Sequence, residues 1–194
     1  KFIGSSVFSG CKNLKQIKFA NNLNNATNIA LKSTFSGCTS LEKVDLTALT
    51  PYLNNTQVVV YTANTLLIAP TSTKSNASAF ENTFKDCSSL DTVQFADGVN
   101  ENSIGMPSTF LGCKKLQTVE NLTAFTHLTD LNQTFSGCEQ LGKVEFDVTS
   151  THDVEHLYRT FFNCKKIQEI ELGSISNKLQ DDSHTTDPTK LAFG

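Results

Sequence analysis

The chain has 194 residues, 38% of them hydrophobic and 18% charged, with a formal net charge of −3. That composition can bury a core, which sets aside a disordered chain, and it provides no general basic field for nucleic acid. The longest apolar run, Val58-Val59-Val60-Tyr61, falls far short of the roughly 18 residues of a membrane helix, so no membrane insertion is expected.

The chain opens on Lys1-Phe2-Ile3-Gly4-Ser5, which lacks the pattern of a secretory signal and reads as the middle of a repeat in a longer protein. The repeat is legible in the cysteines. Cys11, Cys38, Cys87, Cys113, Cys138 and Cys164 lie 27, 49, 26, 25 and 26 residues apart, so one interval is about twice the others. Three places before them stand Phe8, Phe35, Phe84, Phe110, Phe135 and Phe161. Three places after come Leu14, Leu41, Leu90, Leu116, Leu141 and Ile167. Six places after come Ile17, Val44, Val93, Val119, Val144 and Ile170. The eighth place holds Phe19, Leu46, Phe95, Asn121, Phe146 and Leu172, and at Asn121 a one-residue bulge would turn Leu122 inward instead.

The unit therefore reads T-F-x-G-C-x-x-L-x-x-V-x-F/L, and a period of about 25 falls within the roughly 20–29 residues of leucine-rich repeats. The long interval is expected to hide a seventh, degenerate coil over about residues 51–75. Val60, Ala63, Leu66 and Ala69 would take the Phe, Cys, Leu and Val places there, with Thr71 in the last. That irregular coil, with Tyr52 and Tyr61 nearby, reads either as an insertion carrying recognition or as drift.

Period-2 alternation around a β-branched residue predicts a short strand at the end of each unit. Stacked right-handed coils would align these strands as a parallel sheet on one face, with turns or short 3-10 segments on the other. The expected fold is thus an α/β-type repeat solenoid of about seven coils over residues 1–172. Residues 173–194 are polar and read as a C-terminal cap or linker, with Leu191-Ala192-Phe193 placed to cover the last coil. Before the cysteines stand Gly10, Gly37, Asp86, Gly112, Gly137 and Asn163, the types that accept positive φ, so an αL turn is expected there. Before the phenylalanines stand Thr34, Thr83, Thr109, Thr134 and Thr160, with Val7 in the first copy. Their stacked hydroxyls are expected to bond neighbouring coils.

The tempting chemical motifs have plainer readings. Adjacent coils about 4.8 Å apart would bring cysteines within disulfide range, yet parallel side chains disfavour the S–S dihedral, and no C-x2–4-C pair suits zinc. Buried free thiols are the favoured reading over disulfides and metal. His152-Asp153-Val154-Glu155-His156 matches the H-x-x-E-H zinc-protease pattern. However, Val154 and Leu157 keep the inward register of Leu128 and Leu131, which leaves the two histidines and Glu155 on one coil's surface. No nucleophile elbow or phosphate loop is present, and no metal or other cofactor is implied. Asn25, Asn54, Asn76, Asn121 and Asn132 begin N-x-[ST], a chance-level pattern in a Thr-rich chain.

The binding surface is sought on the strand face, at the fifth and seventh places after each cysteine. One column reads Gln16, Lys43, Ile68, Thr92, Thr118, Lys143 and Glu169, and the other Lys18, Asp45, Pro70, Gln94, Glu120, Glu145 and Glu171. The candidate binding residues are Lys18, Lys43, Asp45, Glu120, Lys143, Glu145, Asp147, Glu169 and Glu171. Stacked like charges cost stability, so the Glu120–Glu145–Glu171 stripe hints at a basic partner or a cation, against a solvated face balanced by Lys143. The face carries no aromatics, so neither a sugar platform nor a strong protein hot spot is evident on it.

The columns resemble the BspA-like leucine-rich repeats, whose units carry a similar A/T-F-x-x-C-x-x-L-x-x-[IV]-x-[IL] run. The resemblance spans roughly residues 1–172 and departs in its degenerate fourth coil and in lacking the proline frequent after the strand. It implies a secreted or cell-surface adhesion or recognition protein of bacteria or protists. The expected function is a non-catalytic scaffold for a protein or host-surface or matrix ligand. The alternatives are a structural spacer and, less favoured, a polysaccharide-acting solenoid enzyme.

Overall fold

The structure is a computed structural model that describes residues 5–19, 29, 31–53, 57–62, 65–70, 80–97, 100–146, 151–152, 154, 156–171 and 174–175. Twelve short strands appear among them in chain order: β1 (Gln16–Ile17), β2 (Lys43–Asp45), β3 (Gln57–Thr62), β4 (Thr65–Pro70), β5 (Thr92–Gln94) and β6 (Asn100–Ile104). They continue with β7 (Thr118–Glu120), β8 (Phe125–Leu128), β9 (Lys143–Glu145), β10 (Thr151–His152), β11 (Glu169–Glu171) and β12 (Ser174–Ile175). Two 3-10 segments, Thr50–Tyr52 and Leu122–Ala124, are the only helical pieces among the described residues.

The predicted strands form where the alternation places them. β1, β2, β5 and β7 make a parallel sheet in which Ile17, Val44, Val93 and Val119 are register partners, and β9 and β11 pair Val144 with Ile170. Outward neighbours alternate with inward residues, so β2 and β9 each read exposed–buried–exposed.

The turn column has one geometry in all six cysteine units. The residue before each cysteine has φ between 59° and 76°, and a second positive-φ column stands two places before each phenylalanine. That second column is Ser6, Ser33, Asn82, Ser108, Gln133 and Arg159, with φ of 52° to 62°, and its mixed residue types hid it from the sequence. These kinks aim alternate main-chain N–H groups at the next unit. Phe35 N–H bonds the Thr83 carbonyl at 2.9 Å, and Gly37 N–H bonds that of Lys85 at 2.8 Å.

Packing then runs in columns. Successive rings of Phe8, Phe35, Phe84, Phe110, Phe135 and Phe161 stack 5.3–5.6 Å apart and within 12° of parallel. Thr83, Thr109, Thr134 and Thr160 are buried and donate their hydroxyls to carbonyls of the preceding unit at 2.7–2.9 Å. The thiols of Cys38, Cys87, Cys113, Cys138 and Cys164 likewise donate to the preceding phenylalanine carbonyl, at 3.0–3.2 Å. Sulfur is buried here as a small hydrophobe with one weak donor. Asn121 turns αL (φ 59°), which ends β7 and brings Leu122 into the core, 2% exposed.

The long interval departs from expectation. Val44 pairs directly with Val93 and Phe35 stacks directly on Phe84, so no coil lies between these units. The expected seventh coil at Ala63 does not form. Instead β3 and β4 make an antiparallel hairpin, with Thr62 opposite Thr65 and Gln57 opposite Pro70. The cause is local: two β-rich runs flank Ala63-Asn64, and pairing each with the other satisfies their backbones without the stack.

The far side of the units is also richer than turns and 3-10 pieces. β6 pairs with β8 and β10 with β12, both parallel, and single bridges join Ile29 to Leu53 and Asp130 to His156. Between the two strand columns, Phe80, Phe95 and Phe125 meet edge to face at 4.8–5.8 Å.

Candidate functional site

Removing the hairpin from the stack rewrites the strand face. Ile68 and Pro70 leave its two columns for β4, and the columns run without interruption through Lys43–Thr92 and Asp45–Gln94. Lys18, Lys43 and Asp45 come together with Gln16, Thr92 and Gln94 around a depression of about 440 Å3. Beyond them, a second depression of about 650 Å3 is lined by Glu42, Lys43, Asp91, Lys114, Lys115 and Glu139, acids and bases in equal number.

The glutamate stripe is only partly assembled. Glu145 and Glu171 are direct cross-strand partners, whereas β7 and β9 lie near each other without pairing into one ladder, so Glu120 is not a ladder partner of Glu145. The αL residue Asn121 follows β7 at once and takes the chain out of the extended form there. Lys143 sits among the remaining acids, its Nζ 2.6 Å from Glu145, 3.4 Å from Glu169 and 3.7 Å from Glu171. The hydrogen bond from Lys143 to Glu145, with Glu169 adding to it, raises the ammonium pKa well above its ordinary value. Three acids thus share one cation, and the cluster keeps a net charge of −2. Asp147, the remaining candidate, lies outside the described residues.

The His152–His156 pattern does not lie on a helix. His152 is in β10, Val154 is 1% exposed in the core, and His156 is bridged to Asp130. A helical i, i+4 pair of ligands is therefore not formed. Among the described residues no group of three His, Cys, Asp or Glu is arranged to hold a metal. Burial raises the thiol pKa of Cys38, Cys87, Cys113, Cys138 and Cys164, to about 12 for Cys87 and about 11 for Cys164. They remain neutral donors near neutrality, the opposite of a nucleophile or metal ligand. Two of the five N-x-[ST] asparagines have structural duties. Asn121 Nδ2 donates to the Phe95 carbonyl at 2.9 Å and to Asp97 at 2.8 Å, and Asn132 Oδ1 accepts from Tyr158 N–H at 2.9 Å.

Sequence reasoning missed one surface group. In the last unit the Arg159 guanidinium lies 5.2 Å from the Tyr158 ring and 5.0 Å from that of Phe162, which is 43% exposed. The signal was there, since Phe162 replaces Ser9, Ser36, Lys85, Leu111 and Ser136 of the other units. Aromatic and arginine side chains together are the composition of interface anchors.

Among the described residues no helix is long and apolar enough to cross a membrane. No curated protein and no solved structure matches the chain. The family model for the BspA type leucine rich repeat region matches in six copies over residues 1–101 and 63–187, and the chain belongs to that family.

Proposed function

We propose that this chain is a non-catalytic recognition scaffold, a right-handed solenoid that presents its strand face and the β3–β4 hairpin to a protein or host-matrix ligand. The carrying observation is the hairpin. It enters between two units that already stack directly, ring on ring and valine beside valine, so the stack does not require it. A segment outside the direct stacking of two units is the kind a rigid scaffold displays for binding. Its surroundings suit that role, because no charged residue occurs from Leu46 to Thr73.

Family membership supports the same reading and favours a secreted or cell-surface parent. The strand-face candidates Lys18, Lys43, Asp45, Glu120, Lys143, Glu145, Glu169 and Glu171 would supply a polar rim, with Asp147 beside them. A polysaccharide-acting enzyme is disfavoured. It would need a carboxyl kept protonated by burial, and Glu145 and Glu171 are exposed and ion-paired to Lys143.

The test is binding of the chain to a panel of matrix proteins and glycans. Two variants stand beside it: one with residues 57–70 replaced by two glycines, and Glu120/Glu145/Glu171→Lys. Binding lost in the first variant places recognition on the hairpin, and loss in the second places it on the strand face. Equal binding by all three proteins, or by none, rejects the proposal, and the absence of binding favours a spacer.

A further inference from the structure

On the strand face, four of the five junctions between cysteine units are closed. β1, β2, β5 and β7 pair in turn, and β9 pairs with β11. Ahead of the strands, Glu42, Asp91, Gln117 and Gln168 N–H donate to a carbonyl of the preceding unit, at 3.1, 2.8, 2.9 and 3.0 Å. Behind them, Leu46, Phe95 and Phe146 N–H donate to a carbonyl of the next unit, at 2.7, 3.0 and 3.0 Å. The fifth junction, between the Cys113 and Cys138 units, has none of these bonds among the described residues. β7 and β9 do not pair, Gly142 N–H makes no bond to the Gln117 carbonyl, and Asn121 N–H makes none to that of Glu145. Val119, beside this seam, is only half-buried, whereas Val44, Val93 and Val144 are at most 3% exposed.

The same two units are fully joined elsewhere. Ser108, Phe110 and Gly112 N–H donate to the Asn132, Thr134 and Ser136 carbonyls at 2.7, 2.9 and 2.9 Å, and the Phe110 and Phe135 rings stack at 5.4 Å. On the far side β6 pairs with β8. The units are thus fastened along two sides and open along the third.

The residues at the seam fit that opening. Gly142 stands where the other units carry Lys15, Glu42, Asp91, Gln117 and Gln168. Its φ is not positive and a Cβ there would meet nothing within 4 Å, so neither turn geometry nor crowding calls for glycine. What glycine does supply is backbone freedom. Glu120 and Glu145 hold equivalent places on the two sides, so a closed ladder would set two carboxylates opposite each other, and Lys143 is already shared by three acids.

We propose that this junction is a hinge. The Cys113 and Cys138 units pivot about their turn-side bonds, and Gly142 absorbs the backbone change. The strand face is therefore two stiff panels, β1–β2–β5–β7 and β9–β11, whose mutual angle varies. The hinge rests on the seam and not on any ligand, and a ligand that spans both panels selects the angle that fits it.

Distances between paired nitroxide labels, measured by double electron–electron resonance in a Cys11→Ser chain, decide this. The other five thiols are bonded within the stack. Thr92→Cys/Glu169→Cys spans the seam on the strand face, and Gln16→Cys/Thr118→Cys spans as many junctions within one panel. Lys85→Cys/Phe162→Cys spans the seam on the turn side. The expected distance distribution is at least about twofold broader for the first pair than for the second, with the third as narrow as the second. Gly142→Ala should narrow the first pair and leave the third unchanged, since alanine restricts a backbone whose φ it can adopt. A first pair no broader than the second means a rigid solenoid, and a third pair as broad as the first means units that part altogether; either overturns the proposal. A first pair that stays equally broad in the Gly142→Ala chain overturns the pivot assigned to Gly142.

Discussion

Replacing residues 57–70 by two glycines should leave the stack standing, although it deletes 14 residues. Gln57 and Pro70 are cross-strand partners, so their Cα atoms lie about 5 Å apart and two glycines span the gap. The connection between Leu53 and Phe80 shortens from 26 to 14 residues, since 14 leave and two are added. Loop-closure entropy scales as 1.5RT ln n, which makes the variant more stable by about 0.5 kcal/mol. Removing a working coil would do the opposite. The loss of a buried phenylalanine alone costs about 3–5 kcal/mol, before its leucine, its valine and two sets of cross-unit hydrogen bonds. Urea unfolding followed by far-UV CD separates the cases. A gain of up to about 0.5 kcal/mol is expected, and a loss above about 2 kcal/mol would refute the account of 57–70 as an insertion.

Thr134→Val should destabilise by about 1–2 kcal/mol in the same assay, because it keeps the shape and removes the 2.7 Å bond to the Met106 carbonyl. Gly112→Ala should cost about 1–2 kcal/mol, since φ is +76° there and a Cβ would lie 2.5 Å from the Asp86 carboxylate. Alkaline pH should weaken the fold through the thiols. Cys87 is raised by burial from 9.0 to about 12, so its contribution is whole below pH 9 and is lost as pH rises towards 12. The stability gap between the native chain and Cys87→Ala should therefore narrow by up to about 1.4 kcal/mol per pH unit above 9, as read from unfolding curves at stepped pH. Lys143→Met should leave Glu145 and Glu171 unscreened across β9–β11, a small drop in melting temperature that disappears in high salt, when melting is followed in both conditions.

Much of the fold was legible because a repeat states each constraint six times. One Gly-Cys or Thr-Phe pair would mean little, whereas four glycines with Asp86 and Asn163, five threonines and six phenylalanines in register identify an αL turn, a hydroxyl ladder and a ring stack. The second αL column was not legible, because Gln133 and Arg159 are not residues that favour positive φ and only the surrounding bonds hold them there. The second strand column escaped for a similar reason: β6, β8 and β10 carry no shared pattern, and their pairing follows from being brought side by side by the turns. The hairpin was legible in principle. Val58-Val59-Val60-Tyr61 and Leu66-Leu67-Ile68 around Ala63-Asn64 read as two strands, but apolar spacing also fitted the repeat template.

For the site, the sequence by itself determined which residues face outward on the strands of the six cysteine units, because side-chain alternation leaves no choice once the inward valines are known. It could not determine which outward residues become neighbours. That depended on whether a coil lay between Asp45 and Gln94, and on whether β7 and β9 would join in one ladder. Both are contests between local pairing and stacking whose outcome depends on partners distant in the chain, and tertiary structure alone resolves them. The gathering of Glu145, Glu169 and Glu171 around one lysine belongs to the same class, since only the parallel register of β9 and β11 brings the four charges together.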